Sequence, residues 1–234
     1  MERAAIPTDS DLHALPAGLP RPADDGAAAH LQGLPVPRLR LRATSGGEVD
    51  LADAASRGCV LFLYPATLAP PAVIPGEWSA IPGARGCTIE NLGFRAAFPE
   101  ISELGCEVYG ISGQGQLEVE EGLQQQRELR ERLRLPFELL NDSAFALAEA
   151  LRLPTFEARL TEPVVEFEGR RVSFPLQGRR LYTRLTLVAA RGRIERVFYP
   201  VFPPDLHAEE VLEYLRRRGR PGASGVPTGA GGTR

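Results

Sequence analysis

Two short apolar runs dominate the pattern of hydrophobic and polar positions along the chain. CVLFLY (Cys59–Tyr64) and CEVYGIS (Cys106–Ser112) are almost continuously apolar, which is typical of strands buried on both faces of a sheet. Leu39 and Leu41 alternate with arginines and predict a half-exposed strand ahead of them. Weaker patterns predict a short strand and two hairpins, over Phe137–Leu140, Val164–Phe174, and Leu185–Val188 paired with Ile194–Tyr199.

Helical periodicity separates these strands. Phe94, Phe98 and Ile101 recur at i, i+4 and i+7 between the two buried runs and predict a helix, which Pro99 is expected to kink or divide. Further helices are predicted over Leu117–Leu135, Ser143–Leu151 and Asp205–Arg218. This alternation predicts an α/β fold with a mixed central sheet that is flanked by helices on both faces.

The two ends of the chain differ in composition from this alternating region. Residues 1–32 are rich in Pro, Ala, Gly and Asp without sustained periodicity, and they predict a flexible N-terminal arm. Residues 219–234 are rich in Gly, Pro, Ser and Thr and predict a disordered C-terminal tail. The 234-residue chain is therefore expected to hold one domain, over residues 33–218.

Charge and composition exclude several classes of function. A net charge of -3 argues against a dedicated nucleic-acid-binding protein. All 27 basic residues are arginines, which excludes every mechanism that needs a lysine nucleophile, base or phosphate ligand. The N-terminus lacks the apolar stretch of a signal peptide, and the apolar runs are far shorter than the roughly 18–20 residues that span a bilayer. We expect a cytoplasmic protein with no membrane partner.

The three cysteines are the candidate chemical groups. Cys59, Cys87 and Cys106 are too few for a disulfide scaffold of this size and form no C-x-x-C pair. They also lack zinc-ligand spacing with any histidine, that is with His13, His30 or His207. No metal site is therefore expected, and the cysteines are interpreted as thiols in a reducing compartment.

Cys87 stands at a position that favours chemistry. In PGARGCTIENLGF (Pro82–Phe94) it follows a loop rich in Pro and Gly and opens a helix. Free backbone N–H groups and the positive end of the helix dipole favour the thiolate, and Arg85 adds positive charge. A thiolate attacks electrophiles such as a peroxide oxygen, leaving a sulfenic acid that another thiol reduces. The alternative is a small buried cysteine at the start of a helix that packs on the sheet.

Three motifs extend this interpretation: Tyr64-Pro65 at the end of a buried strand, Gly86-Cys87-Thr88 with Glu90, and Gly110-Ile111-Ser112. Their order, in a match from about Leu34 to Arg218, resembles that of the peroxiredoxins. The most similar branch is the bacterioferritin comigratory (peroxiredoxin Q) type of the alkyl hydroperoxide reductase/thiol-specific antioxidant superfamily.

The resemblance implies a thioredoxin-like fold and a thiol-dependent peroxidase that reduces hydrogen peroxide and organic hydroperoxides without a cofactor. It implies that Cys87 is the nucleophile. It also implies that Arg184, just before a late strand, stabilises the thiolate and the developing oxyanion through forked, permanently charged donors. The alternative for Arg184 is a surface arginine at a strand edge. The candidate substrate-binding residues are those around the nucleophile: Pro82, Arg85, Gly86 and Thr88.

The chain departs from the family pattern in the loop before Cys87. Ala80 and Ala84 stand where the family has a proline and a threonine, so the hydroxyl that usually orients the peroxide is missing from its place. Thr67 and Thr88 are candidate substitutes.

Two segments, residues 66–81 and 157–180, are interpreted as insertions into the family's domain. The first carries the only tryptophan, Trp78, and is interpreted as a surface loop. The alternative is a lid that shapes the peroxide pocket.

The resemblance also bears on how the oxidised thiol is restored. Many members of this branch have a second, resolving cysteine five residues after the first, where this chain has Leu92. Cys59 and Cys106 each begin an apolar strand and are interpreted as inert core residues. The alternative is that one of them resolves the sulfenic acid, which would need local unfolding to bring it to Cys87. We therefore expect a one-cysteine enzyme, monomeric or homodimeric, that is reduced by an external thiol such as thioredoxin, glutaredoxin or a small thiol. The alternative is a weak or inactive redox sensor or binding protein on the same fold.

Overall fold

The computed structural model describes residues 14–68, 74–116, 118–167 and 169–218, with the side chain of Phe167 left out. The strands within these ranges are, in chain order, β1 (Arg40–Ala43), β2 (Glu48–Asp50), β3 (Cys59–Leu63), β4 (Glu107–Ser112), β5 (Glu138–Asn141), β6 (Thr155–Glu157), β7 (Val164–Phe167), β8 (Arg170–Ser173), β9 (Arg180–Tyr182), β10 (Leu185–Ala190) and β11 (Arg193–Phe198). The helices are α1 (Leu51–Arg57), α2 (Gly76–Ala80), α3 (Cys87–Glu103), α4 (Val119–Leu133), α5 (Ala146–Leu151) and α6 (His207–Arg218).

The main sheet is mixed. Among the described residues, seven strands form it in the order β11-β10-β3-β4-β5-β1-β2. Strands β3, β4 and β5 are parallel, and β10 and β1 join them antiparallel on either side. Every residue of β3 is buried, as its continuous apolar run predicts for a strand covered on both faces.

Each face of the sheet carries its own apolar core. On one face, α1 and α5 pack with Leu51, Leu147 and Leu151 fully or almost fully buried. On the other face, α3, α4 and α6 pack around Phe62 and Phe94, whose rings stack at 4.3 Å. The predicted α/β architecture with helices on both faces is therefore confirmed.

Several local predictions are also met, and others need correction. The two hairpins form as β7–β8 and β10–β11, with Glu168 of the first turn outside the described residues. Pro99 lies inside α3, which continues as one helix to Glu103, so a division at Pro99 is wrong. The short elements α1, α2, β2, β6 and β9 were not predicted.

The last residues of the predicted N-terminal arm contact the domain. Leu31 is fully buried in the core with α1, and Nε2 of His30 lies 2.8 Å from the carbonyl oxygen of Leu151. Apolar burial of Leu31 anchors this part of the chain against the sheet. Residues 1–13 of the arm and the predicted tail, 219–234, lie outside the described residues.

The two segments interpreted as insertions pack against each other. Trp78 of α2 and Phe174, which follows β8, contact at 5.2 Å between ring centroids within a third apolar cluster. That cluster borders the start of α3, because it includes Ala84 of the preceding loop. Segment 66–81 is therefore more than a surface loop, because its tryptophan is buried against residues of the second segment.

Candidate active site

The first residue of α3 is Cys87, and the residue before it determines how the helix begins. Gly86 has φ +100, a conformation that side chains rarely adopt, and a Cβ there would lie 2.3 Å from Cγ of Pro204. The first intrahelical hydrogen bond runs from the N–H of Glu90 to the carbonyl of Gly86 at 2.9 Å. The N–H groups of the first turn ahead of it have no intrahelical acceptor, and they favour negative charge on the neighbouring sulfur.

The guanidinium of Arg184 lies directly against this sulfur. Its Nη2 donates to Sγ of Cys87 at 3.2 Å and to the carbonyl of Arg85 at 3.1 Å. The carbonyl of Gly83 lies 3.4 Å from the same nitrogen. Arg184 immediately precedes β10 and is only 2% exposed, so the alternative of a surface arginine is wrong.

A buried carboxylate holds the other end of the guanidinium. Nη1 of Arg184 forms a short ion pair with Oε2 of Glu90, one helical turn after Cys87, and both side chains are almost completely buried. Burial raises the pKa of Glu90, although the charge of Arg184 opposes that effect. Burial disfavours charged Arg184, but Glu90 and Cys87 outweigh it and raise the pKa of the guanidinium. Arg184 therefore stays charged beside the sulfur.

A small cavity opens beside Cys87. Its volume is about 40 Å³, and its lining residues are Ala66, Thr67, Leu68, Ile74, Trp78, Cys87, Thr88 and Leu176. The thiol is 6% exposed, so the cavity is its route to small molecules. Of the proposed binding residues, Thr88 lines this cavity.

Thr67, the second candidate for the missing hydroxyl, also lines the cavity and is held by a buried amide. Its hydroxyl lies 3.3 Å from Oε1 of Gln114, and its backbone N–H donates to the same oxygen at 3.1 Å. Gln114 is itself anchored, because its Nε2 donates to Gln125 at 3.0 Å. A hydroxyl that donates to Gln114 keeps its lone pairs free to accept a hydrogen bond in the cavity.

The remaining candidate binding residues do not line the cavity. Pro82 is exposed, Gly86 acts through its backbone conformation, and Arg85 contacts Arg184 through its carbonyl. The loop from Pro82 to Gly86 therefore supports Arg184 and the start of α3.

Cys59 and Cys106 are free thiols at the opposite end of the strands. Cys59 is the first residue of β3, whereas the cavity lies beyond Leu63, the last residue of that strand. At the usual rise per residue, the Cα atoms of Cys59 and Leu63 are about 13 Å apart. A disulfide needs Cα atoms within about 6.8 Å. Burial raises the pKa of Cys59 to about 12. It also raises the pKa of Cys106, against the effect of Arg218, whose Nη2 lies 3.4 Å from that sulfur.

The described part of the chain holds neither a candidate metal site nor a candidate membrane-spanning helix. No group of three or more His, Cys, Asp or Glu side chains there is arranged to hold a metal ion. None of the helices in the described ranges combines the length and apolar character needed to cross a membrane.

Three further residues shape the site: Glu90, Trp78 and Leu176. The sequence patterns include Glu90 in a motif without a function, involve Trp78 only through the alternative that segment 66–81 is a lid, and give Leu176 no role. The signal for Glu90 was present, because a residue at i+3 shares a helix face with Cys87. No local pattern marks Leu176, which reaches the cavity through tertiary packing alone.

Comparison with known proteins supports the fold. No protein-family model and no curated protein sequence matches the chain. Solved structures do match: peroxidoxin BcpB from Mycobacterium tuberculosis is 24% identical over 80% of this chain and 98% of that chain, with a TM-score of 0.55. Peroxiredoxin Q from Xanthomonas campestris is 20% identical over 82% of this chain and 98% of that chain, with a TM-score of 0.56. A mutant of PrxQ from Xylella fastidiosa is 19% identical over 82% and 99%, with a TM-score of 0.57. At these identities the likeness is one of fold: the chain has the thioredoxin-like α/β fold of the peroxiredoxins.

Proposed function

We propose that the protein is a thiol-dependent peroxidase with Cys87 as its nucleophile, acting on hydrogen peroxide and organic hydroperoxides. The observation that carries the proposal is the 3.2 Å contact between Nη2 of Arg184 and Sγ of Cys87 at the N-terminus of α3. A helix N-terminus and a buried guanidinium both favour a thiolate, which is the reactive form. The solved structures with this fold add support, since two of them are named peroxiredoxin Q or PrxQ.

The reaction forms one S–O bond and breaks one O–O bond. The thiolate attacks the hydroxyl oxygen of R–O–O–H, and the other oxygen leaves as RO⁻, which takes up the proton released when the thiol ionised. Cys87 becomes a sulfenic acid, so the sulfur is oxidised by two electrons while the peroxide is reduced to an alcohol or to water. Arg184 faces the negative charge that passes from sulfur to the leaving oxygen.

The other candidate residues act around these two. The hydroxyls of Thr67 and Thr88 and the first-turn N–H groups of α3 bind the peroxide. Pro82, Arg85 and Gly86 position the loop that supports Arg184. Because the amide carbonyls of Gly83 and Arg85 accept from Nη2, this loop fixes the guanidinium in place.

We further propose a one-cysteine cycle in a reducing cytoplasm. The position five residues after Cys87 is Leu92, and the burial of Cys59 and Cys106 opposes their reaction with the sulfenic acid. An external thiol, from thioredoxin, glutaredoxin or a small molecule, then displaces water to form a mixed disulfide. A second thiol releases Cys87 and completes the external disulfide. No cofactor is needed, and the working form is a monomer or homodimer built on domain 33–218.

The test is the rate at which Cys87 loses its free thiol. The reduced protein is mixed with hydrogen peroxide, quenched at intervals with an alkylating agent, and analysed by mass spectrometry. We expect oxidation of Cys87 far faster than that of a free small-molecule thiol, and turnover with an added thiol. Cys87→Ser should abolish turnover, whereas the matched variant Cys106→Ser should retain it. Turnover that persists in Cys87→Ser would contradict the proposal.

A further inference from the structure

Four apolar side chains wall the cavity beside Cys87, and we name them the apolar cap: Leu68, Ile74, Trp78 and Leu176. Trp78 comes from α2, and Leu176 comes from the connection between β8 and β9. Both are largely buried, at 4% and 8% exposure. The cap therefore joins two distant parts of the chain directly over the thiol.

Packing and hydrogen bonds hold the cap together. The ring of Trp78 lies 5.2 Å from that of Phe174 and 6.4 Å from that of Phe156. Next to it, the carboxylate of Glu77 accepts from the backbone N–H groups of Thr161 at 2.7 Å and Glu162 at 3.2 Å. These contacts cross from the first segment to the second, so widening the cavity means breaking apolar packing and charge-assisted hydrogen bonds together.

The size of the cavity determines what fits beneath the cap. A cavity needs about 10–15 Å³ of volume to hold one water molecule, and a cavity that binds benzene measures roughly 150 Å³. The cavity beside Cys87 is about 40 Å³. A peroxide group fits this space, and a phenyl ring does not.

We infer that Trp78 and Leu176 are specificity-determining residues, which admit hydrogen peroxide to Cys87 and exclude hydroperoxides with bulky aryl substituents. This inference rests on the proposed function and narrows its substrate class. The cap excludes by shape, since its rigid apolar walls occupy the volume that the substituent of a larger hydroperoxide would need.

The experiment compares two peroxides on the same protein and on three variants. Rate constants for Cys87 oxidation by hydrogen peroxide and by cumene hydroperoxide, which carries a phenyl ring, are measured by rapid quench and mass spectrometry. Leu176→Ala and Trp78→Phe each remove volume from the cap, one in each segment. Leu160→Ala is the matched control, because Leu160 is 7% exposed in the same cluster and does not line the cavity.

We expect the parent to prefer hydrogen peroxide. In Leu176→Ala and Trp78→Phe, the ratio of the cumene hydroperoxide rate to the hydrogen peroxide rate should rise by at least about tenfold, the lower end of what one methylene changes in an apolar pocket. Leu160→Ala should leave the ratio unchanged. Circular dichroism identifies a variant that fails to fold, and the rate ratio of the other cap variant then decides whether the inference holds.

Failure of the proposed function and failure of this inference alone give different results in this experiment. A parent that oxidises with neither peroxide contradicts the proposed function and this inference with it. A parent that reacts equally well with both peroxides overturns the inference alone. So does a ratio that stays constant or falls in the folded cap variants.

Discussion

Nη2 of Arg184 lies 3.2 Å from Sγ of Cys87, although 97 residues separate them in the chain. The guanidinium is also held by Glu90 and by the carbonyl of Arg85, so its position is set before any substrate binds. A charge that is already in place stabilises a transition state without reorganisation during the reaction. The pairing therefore links the fold to the proposed chemistry, because α3 supplies the sulfur and the entry to β10 supplies the cation.

The first prediction concerns the shape of the cation at position 184. Arg184→Lys keeps the charge but loses the fork that reaches Glu90 and Cys87 together. We expect the rate of Cys87 oxidation by hydrogen peroxide to fall by about 10²–10³, the usual effect of removing one such donor. Arg218→Lys is the control, since Arg218 contacts the sulfur of Cys106 at 3.4 Å away from the cavity, and its rate should match the parent. An Arg184→Lys protein that folds and oxidises at the parent rate would argue against this role.

A second prediction compares the effect on stability of an alanine at each of two glycines in the loop before Cys87. Gly83 and Gly86 both have positive φ, so an alanine at either site costs roughly 1–2 kcal/mol of backbone strain. At Gly83 the nearest atom to a new Cβ is 3.8 Å away, whereas at Gly86 Pro204 is at 2.3 Å and Leu15 at 3.0 Å. Gly86→Ala should therefore lower the free energy of unfolding by about 1–3 kcal/mol more than Gly83→Ala, because the new methyl group overpacks the site.

Urea unfolding of both variants measures this difference in the free energy of unfolding. Equal losses for Gly83→Ala and Gly86→Ala would show that the close approach of Pro204 does not constrain the start of α3.

The third prediction concerns the fate of the oxidised thiol. After one equivalent of hydrogen peroxide, dimedone should trap a sulfenic acid on Cys87, while Cys59 and Cys106 remain reduced. Burial of Cys59 raises its pKa to about 12, so at pH 8 this thiol is almost entirely protonated and unreactive. Mass spectrometry of the non-reduced peptides is the measurement, with unfolded protein as the control in which all three thiols react. A disulfide that joins Cys87 to either of the other cysteines would overturn the one-cysteine cycle.

Much of the fold could be predicted from sequence because burial leaves a local mark. The run over Cys59–Tyr64 is apolar at nearly every position since β3 is covered on both faces. The helix α1 was missed for the opposite reason: it has seven residues, and its buried face is made mostly of alanine. Asp50, whose carboxylate accepts from the N–H groups of Ala52 and Asp53, was an available signal for its start.

The residues of the candidate site also differ in whether a local sequence pattern marks them. Cys87 could be singled out because a thiol after a glycine at a helix start is a local pattern. The cap could not, because Trp78 and Leu176 meet only through tertiary packing of segments that have no shared periodicity. The resemblance to peroxiredoxins located Arg184 and included Glu90 in a motif, whereas the ion pair between the two became evident only from the three-dimensional contact.

The last prediction asks which hydroxyl binds the peroxide in a chain with Ala84 in the preceding loop. Thr67 and Thr88 both line the cavity with Cys87, and the hydroxyl of Thr67 is oriented by Gln114 at 3.3 Å. Valine has the same shape as threonine without the hydroxyl. Thr67→Val and Thr88→Val therefore test each hydroxyl separately in the hydrogen peroxide reaction. The hydrogen bond that either hydroxyl makes to the neutral peroxide is worth about 0.5–1.5 kcal/mol, so its loss corresponds to a rate lowered roughly two- to tenfold.

We expect Thr67→Val to show the larger fall, because Gln114 accepts from that hydroxyl at the cavity wall and the hydroxyl oxygen can still accept a hydrogen bond from the peroxide. Thr155→Val is the control, since its hydroxyl accepts from Nε of Arg180 at 3.0 Å and lies outside the cavity. The rate constants come from the same quench assay, with circular dichroism to compare the folds. If both cavity variants keep the parent rate, the backbone N–H groups at the start of α3 suffice to bind the peroxide, and neither threonine replaces the missing hydroxyl.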